Sequence, residues 1–188
     1  MKQFETPKPY QVEAKRANMN FFLIFMGVSG CGKTTIGKMT ANALGVPYYE
    51  GDDYHPQVNV EKMSKGIPLN DDNRAGWLQR LADLMREKLA EGESGILSCS
   101  ALKQKYRDQL RVVPEKVHFI YLKGSYELIK ERMEKRRNHY MPADLLRSQF
   151  EILEEPDEIF TIEIKQSPEE ILAQVMSYIT TDIYSSEA

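Results

Sequence analysis

The feature that most constrains this chain is the run from Gly27 to Thr34, Gly-Val-Ser-Gly-Cys-Gly-Lys-Thr, set between an apolar segment and a stretch of helical period. It satisfies the spacing G-x-x-x-x-G-K-S/T, in which a strand hands over to a helix through a glycine-rich loop. Glycines at 27, 30 and 32 admit backbone angles closed to other residues, so successive N–H groups can turn inward around a polyphosphate while the next helix presents its N-terminus to the same anion. Gly27, Val28, Ser29, Gly30, Cys31 and Gly32, with Lys33, Thr34 and Thr35 opening the helix, are therefore the candidate nucleotide-binding residues. Lys33 is placed to reach β- and γ-phosphates, and the Thr34 hydroxyl to ligate Mg²⁺. Cys31 is read as a small residue filling a variable position of the loop.

The rest of the chain supplies the sheet that such a loop requires. Short β-type runs at 21–26, 47–50, 95–99, 117–122 and 160–164 alternate with stretches of helical period, which predicts an α/β three-layer sandwich around a five-stranded parallel sheet. Apolar stripes of helical spacing occur at Ile36, Met39, Ala43 and Leu44, at Trp77, Leu81, Leu84, Met85 and Leu89, and at Ile171, Leu172, Val175 and Ile179. Ser167, Pro168 and Glu170 fit N-cap, N1 and N3 of a capping box. Ser100 is the expected N-cap of a helix with Leu102, Tyr106 and Leu110 on one face, and Asp72 or Asn73 the expected cap of the helix carrying Arg74. Residues 1–18 are polar, carry Pro7 and Pro9 and show no period, so they read as a poorly ordered extension ahead of a single domain over 19–188.

Composition narrows the partners. With 25 basic and 28 acidic residues among 188, the net charge of -3 gives no global field for nucleic acid or an anionic membrane. The longest apolar runs, 21–26 and 117–122, are too short to cross a bilayer. Two cysteines are too few for a disulfide framework, which points to the reducing cytoplasm.

A phosphate loop alone leaves a GTPase switch, a motor and several kinds of kinase open. No Asn-Lys-x-Asp guanine-reading motif occurs, and no apolar strand ends in a Walker B aspartate, which weakens the first two. Four further segments are more specific. They are Gly51-Asp52-Asp53-Tyr54-His55-Pro56; the run from Asn59 through Lys62, Met63, Gly66, Pro68 and Asn70 to Arg74, leading into Trp77; Cys99-Ser100-Ala101-Leu102-Lys103 with Tyr106-Arg107-Asp108; and His139-Tyr140-Met141-Pro142 with Ser148-Gln149-Phe150. Read together with the loop, they make the chain resemble the gluconate kinase (gluconokinase) family of small P-loop kinases from about residue 22 to 179. Asn73, Gly76 and Asn138 depart from the family pattern, which commonly has aspartate, proline and glycine there.

Several of these residues carry a chemical reading of their own. Asp52 follows the second strand at its carboxyl end, where α/β sheets bind ligands, and a carboxylate there can orient an acceptor hydroxyl, take its proton and help to hold Mg²⁺. Lys62 and Arg74 offer positive charge to an acid, Arg74 through a two-pronged guanidinium. Lys103 stands near a strand end, Gln149 can read substrate hydroxyls, and Arg132 and Arg136 share a helix face.

The resemblance adds a nucleoside-monophosphate-kinase-like P-loop NTPase fold, a helical substrate-binding insertion around 55–75 and a short lid near 132–143. It implies ATP-dependent phosphorylation of D-gluconate, with Lys33, Arg132 and Mg²⁺ stabilising the transferring group, Asp52 acting on the hydroxyl, and Arg74 with His55 and Lys62 holding the acid. His139 joins the substrate residues by the same resemblance, Arg136 the nucleotide residues, and a homodimer is the implied assembly. A kinase for another small acid or polyol, such as shikimate, and a non-enzymatic nucleotide-dependent regulator are the competing readings.

Overall fold

The computed structural model describes residues 20–135 and 143–183. The extension expected at 1–18, and Arg136 and His139 within the expected lid, lie outside the described residues. Five strands, β1 (Phe22–Met26), β2 (Tyr48–Glu50), β3 (Gly95–Ser98), β4 (Val117–Lys123) and β5 (Phe160–Glu163), form one sheet in the order β2-β3-β1-β4-β5. Every pairing is parallel. The α-helices are α1 (Lys33–Leu44), α2 (Gln57–Ser64), α3 (Asp71–Ala90), α4 (Gln104–Leu110), α5 (Tyr126–Glu134), α6 (Ala143–Ile152) and α7 (Pro168–Tyr178), with a 3-10 turn at Gly51–Tyr54 and a π-helical turn at Ile179–Ile183. This is the three-layer α/β sandwich that the strand and helix pattern predicts.

The core follows from alternation along the strands. In β1, Leu23 and Phe25 join the layer containing Ile36, Ala41 and Leu44 of α1 and Ile171 and Val175 of α7. Phe22, Ile24 and Met26 join Trp77, Leu81 and Met85 of α3 on the other face. Helices cover both faces, so β1 reads as an unbroken apolar run. Each such side chain contributes about 1.5–3 kcal/mol when fully removed from water, which fixes the strand that delivers the glycine loop.

Helix starts test the finer expectations. α7 begins at the predicted capping box: Glu170 N–H donates to Ser167 Oγ and Ser167 N–H to the Glu170 carboxylate, with Pro168 in the first turn. α3 is capped one turn earlier than expected, by Asn70. Its side chain accepts from Asn73 N–H at 2.8 Å, and Asn73 Oδ1 accepts from Asn70 N–H at 3.3 Å. Asparagine at 73 thus closes a reciprocal box, and Arg74 falls inside the helix instead of at its mouth. α4 also departs from expectation: Lys103, not Ser100, is its N-cap. Ala101 takes a left-handed φ of 44°, which no helix propagating from Ser100 can pass through.

Parallel strands bring their carboxyl ends to one edge. Gly27 leaves β1 there, Gly51 leaves β2 and Cys99 leaves β3, and Gly27 N–H donates to Ser100 O at 3.2 Å. Among the described residues, no helix is long and apolar enough to cross a membrane.

Candidate active site

The glycine loop has the backbone that its sequence demands. Gly27, Gly30 and Gly32 have φ of 136°, 83° and 106°, and Gly32 serves as N-cap of α1 with no side chain capping it. The donor-rich end of α1 therefore faces the loop's interior. Lys33 curls back over this loop, its ammonium donating to Gly27 O and Val28 O at 3.0 Å each. At the next position, Thr34 Oγ1 donates to Glu50 Oε2 at 2.7 Å. Tyr48 donates to the same oxygen at 2.6 Å and accepts from Ser98 at 2.9 Å. Burial, followed by the hydrogen bond to Glu50, pushes the Tyr48 phenol well above its usual range, so it stays a neutral donor.

Glu50 escapes a reading of the sequence alone. It ends a three-residue strand and belongs to no motif on chemical grounds, its only signal being a carboxylate one residue before Gly51-Asp52. With Thr34 it presents hard oxygen donors, the type that Mg²⁺ selects. No group of three or more His, Cys, Asp or Glu able to cage a metal occurs among the described residues.

Beyond β2 the chain makes a tight 3-10 turn, Gly51–Tyr54, that sets Asp52 at the cleft. Trp77 Nε1 fixes the turn by donating to Gly51 O at 2.7 Å. A Cβ on Gly51 would lie 2.4 Å from Ser98 O, inside the neighbouring strand's backbone, so only glycine fits. Gly51→Ala is accordingly expected to cost about 1–3 kcal/mol of stability and to lower turnover by displacing Asp52. Urea unfolding and steady-state rates check this, and wild-type values in both would contradict the steric argument.

The cleft has a volume of about 360 Å³ and is lined by Lys33, Asp52, His55, Arg74, Ser100 and Gln149 among polar residues, with Val60, Met63, Leu69 and Leu145 as apolar wall. His55 stacks on Trp77 with ring centroids 4.1 Å apart. Asn59 Nδ2 lies 3.3 Å from His55 Nδ1, and an amide nitrogen only donates, so Nδ1 accepts and Nε2 carries the proton. Burial first and the nearby Arg74 second hold its pKa at about 4, so at neutral pH the ring is an uncharged donor. Arg74 spends one nitrogen on Leu69 O and lies 5.7 Å from the Tyr106 ring. Among the described residues it is the one arginine that lines this cleft.

The other expected site residues take different places. Lys62 donates to Asn73 Oδ1 at 3.1 Å, tying α2 to the cap of α3, and Lys103 pairs with Asp71 at 2.9 Å, which Lys105 and Tyr106 also contact. Neither lines the cleft. Arg132 donates to Ile164 O at the end of β5 and likewise stands outside the lining. Gln149 does line it, but its amide is engaged at both ends: Oε1 accepts from Ser29 N–H at 2.7 Å and Nε2 donates to Ser29 Oγ at 3.0 Å. These contacts clamp α6 to the phosphate loop.

Comparison with known proteins agrees with this fold. A shikimate kinase family model matches residues 29–180. The thermosensitive gluconokinase of Escherichia coli (strain K12) is 50% identical over 133 residues, covering 71% of this chain and 71% of that protein. A gluconokinase of Gluconobacter oxydans (strain 621H) is 40% identical over 164 residues, covering 86% and 92%. The crystal structure of a gluconokinase from Sinorhizobium meliloti 1021 superposes with a TM-score of 0.82 at 38% identity, covering 90% of this chain and 97% of that one.

Proposed function

The chain belongs to the gluconokinase family, and from that premise we propose that Lys33, Asp52 and Arg74 carry its reaction, the transfer of the γ-phosphoryl group of ATP to D-gluconate. One observation supports this assignment above others: the same cleft holds a phosphate-loop lysine, a strand-end carboxylate and a guanidinium. In this reading the sugar acid's carboxylate accepts two hydrogen bonds from Arg74, and neutral His55 donates from Nε2 to a hydroxyl. Asp52 aligns the terminal hydroxyl and takes its proton as the oxygen bonds to the γ-phosphorus and the bond to the β-γ bridging oxygen breaks. Lys33 exchanges the carbonyls of Gly27 and Val28 for β- and γ-phosphate oxygens. Products are ADP and 6-phospho-D-gluconate.

Thr34 and Glu50, with Asp52 through water, are the residues that would hold Mg²⁺, which neutralises phosphate charge when bound. Arg132 joins the transferring group only by leaving Ile164 O, and its assignment to catalysis rests on its place before the lid. Gln149 acts on the acceptor side of the loop that it clamps. We place the enzyme in the cytoplasm, in keeping with ATP as donor and with two buried free thiols, Cys31 and Cys99.

The shikimate kinase match keeps a second acceptor in view, because an acid with ring hydroxyls presents the same carboxylate to Arg74. An ADP-release assay across gluconate, other sugar acids, shikimate and neutral polyols separates the readings. Turnover is expected with gluconate, and Arg74→Met should raise the KM for gluconate by about 10²-fold, since a charge-assisted fork contributes roughly 1.5–3 kcal/mol. Preference for shikimate or for an uncharged polyol would overturn the assignment, as would ATP binding without any acceptor-dependent turnover.

A further inference from the structure

Arg107 is a buried cation that the reaction above does not use. It is 1% exposed, and its guanidinium donates from Nη1 to Ala101 O at 3.1 Å and to Leu102 O at 3.2 Å. From Nε and Nη2 it donates to Gln104 Oε1 at 3.2 and 2.8 Å. All four bonds end on neutral oxygens. Burying a guanidinium without a hydrogen-bonded carboxylate is unfavourable, and burial accordingly lowers its proton affinity. An apolar side chain would fill the same volume without that penalty, so the fork's directionality is what the site uses.

What the fork holds is the corner between β3 and α4. Ala101 is fully buried at a left-handed φ of 44°, an unfavourable backbone for a residue with a Cβ. On one side of it, Ser100 lines the cleft and accepts the N–H of Gly27, the first residue of the phosphate loop, with its carbonyl. On the other side, Leu102 O accepts from Glu154 N–H at 2.9 Å, and Gln104 N–H donates to Glu154 Oε2 at 2.6 Å. The corner therefore joins the phosphate loop, the acceptor cleft and the segment that leaves α6, whose Gln149 grips Ser29 from the opposite wall.

We propose that Arg107 is a positioning residue for catalysis: by bonding the carbonyl of Ala101 and that of Leu102 after it, it holds Ala101 left-handed and so registers the phosphate loop against the acceptor cleft. The assignment rests on the kinase reading of the cleft, and its test separates the two. Arg107→Lys keeps the charge but loses the fork, and is expected to lower kcat for gluconate about tenfold while ATP binding, read by equilibrium titration, changes less than about threefold. Ala101→Gly should leave the parent enzyme's kcat nearly unchanged, because glycine takes this φ unaided. Combined with Arg107→Lys it should restore kcat to within about threefold of the parent, since the backbone no longer needs holding.

Melting temperatures are measured on every variant so that turnover is compared between folded proteins. A lysine variant that melts lower with kcat intact would overturn the proposal, and so would a folded double variant no faster than Arg107→Lys. If Arg107→Lys does not fold, the double variant decides: recovered folding with near-parental kcat supports the mechanism, and continued failure overturns it. Absence of gluconate turnover in the parent would instead sink the kinase reading and leave the loop contacts untouched.

Discussion

Asp52→Asn is expected to lower kcat by about 10²–10⁴-fold, the range removed with a positioned general base, while leaving ATP affinity within about threefold. The asymmetry comes from where the side chain stands. Asp52 lies in the turn after β2, held by the Trp77 bond to Gly51 O and by the absence of space for any side chain at 51. Its side chain lines the same cleft as Lys33 and Arg74. Asparagine keeps the size and one oxygen but cannot take the proton, so the loss should fall on turnover. Equilibrium titration with ATP and steady-state kinetics with gluconate give the two numbers. Equal loss in both would mean that Asp52 supports the nucleotide site, and unchanged kcat would remove it from the mechanism.

The parts of this site that are legible in the sequence are those fixed by local backbone chemistry. Three glycines, a lysine and a threonine at fixed spacing can be read because each answers to a loop or to a helix start, and the φ values of Gly27, Gly30 and Gly32 carry out that demand. The strands are legible because β1 is covered on both faces and the pleat divides its side chains cleanly between two layers. Contacts made across the fold are not. Glu50 acquires meaning only when β2 packs beside α1, bringing its carboxylate to Thr34. Gln149 meets Ser29 across 120 residues of chain, and nothing in its helical period distinguishes it from a surface glutamine. At Ser100 local reasoning misplaces the helix start, because the left-handed turn at Ala101 is held by an arginine six residues on.

Loss of the Lys33 ammonium should have an effect of comparable size. Lys33→Met preserves the length and apolar stem of the side chain, and kcat/KM for ATP is expected to fall about 10³-fold or more. Removing a single preorganised donor at a developing negative charge typically costs 10²–10³, and this one is cationic and, in the proposed mechanism, moves to the transferring group. Stability should respond far less. The ammonium bonds two carbonyls of its own loop, and net contributions of about 1 kcal/mol per hydrogen bond limit the loss to roughly 1–2 kcal/mol. A 10³-fold kinetic defect corresponds to about 4 kcal/mol, so the two effects differ enough to be told apart. The same two carbonyls suggest why arginine should not rescue: they are bonded in a tight curl by a compact ammonium, whereas a planar fork is wider and directs its donors differently. Substantial activity in Lys33→Met, or a stability loss as large as the kinetic one, would show that the lysine serves the loop and not the phosphoryl group.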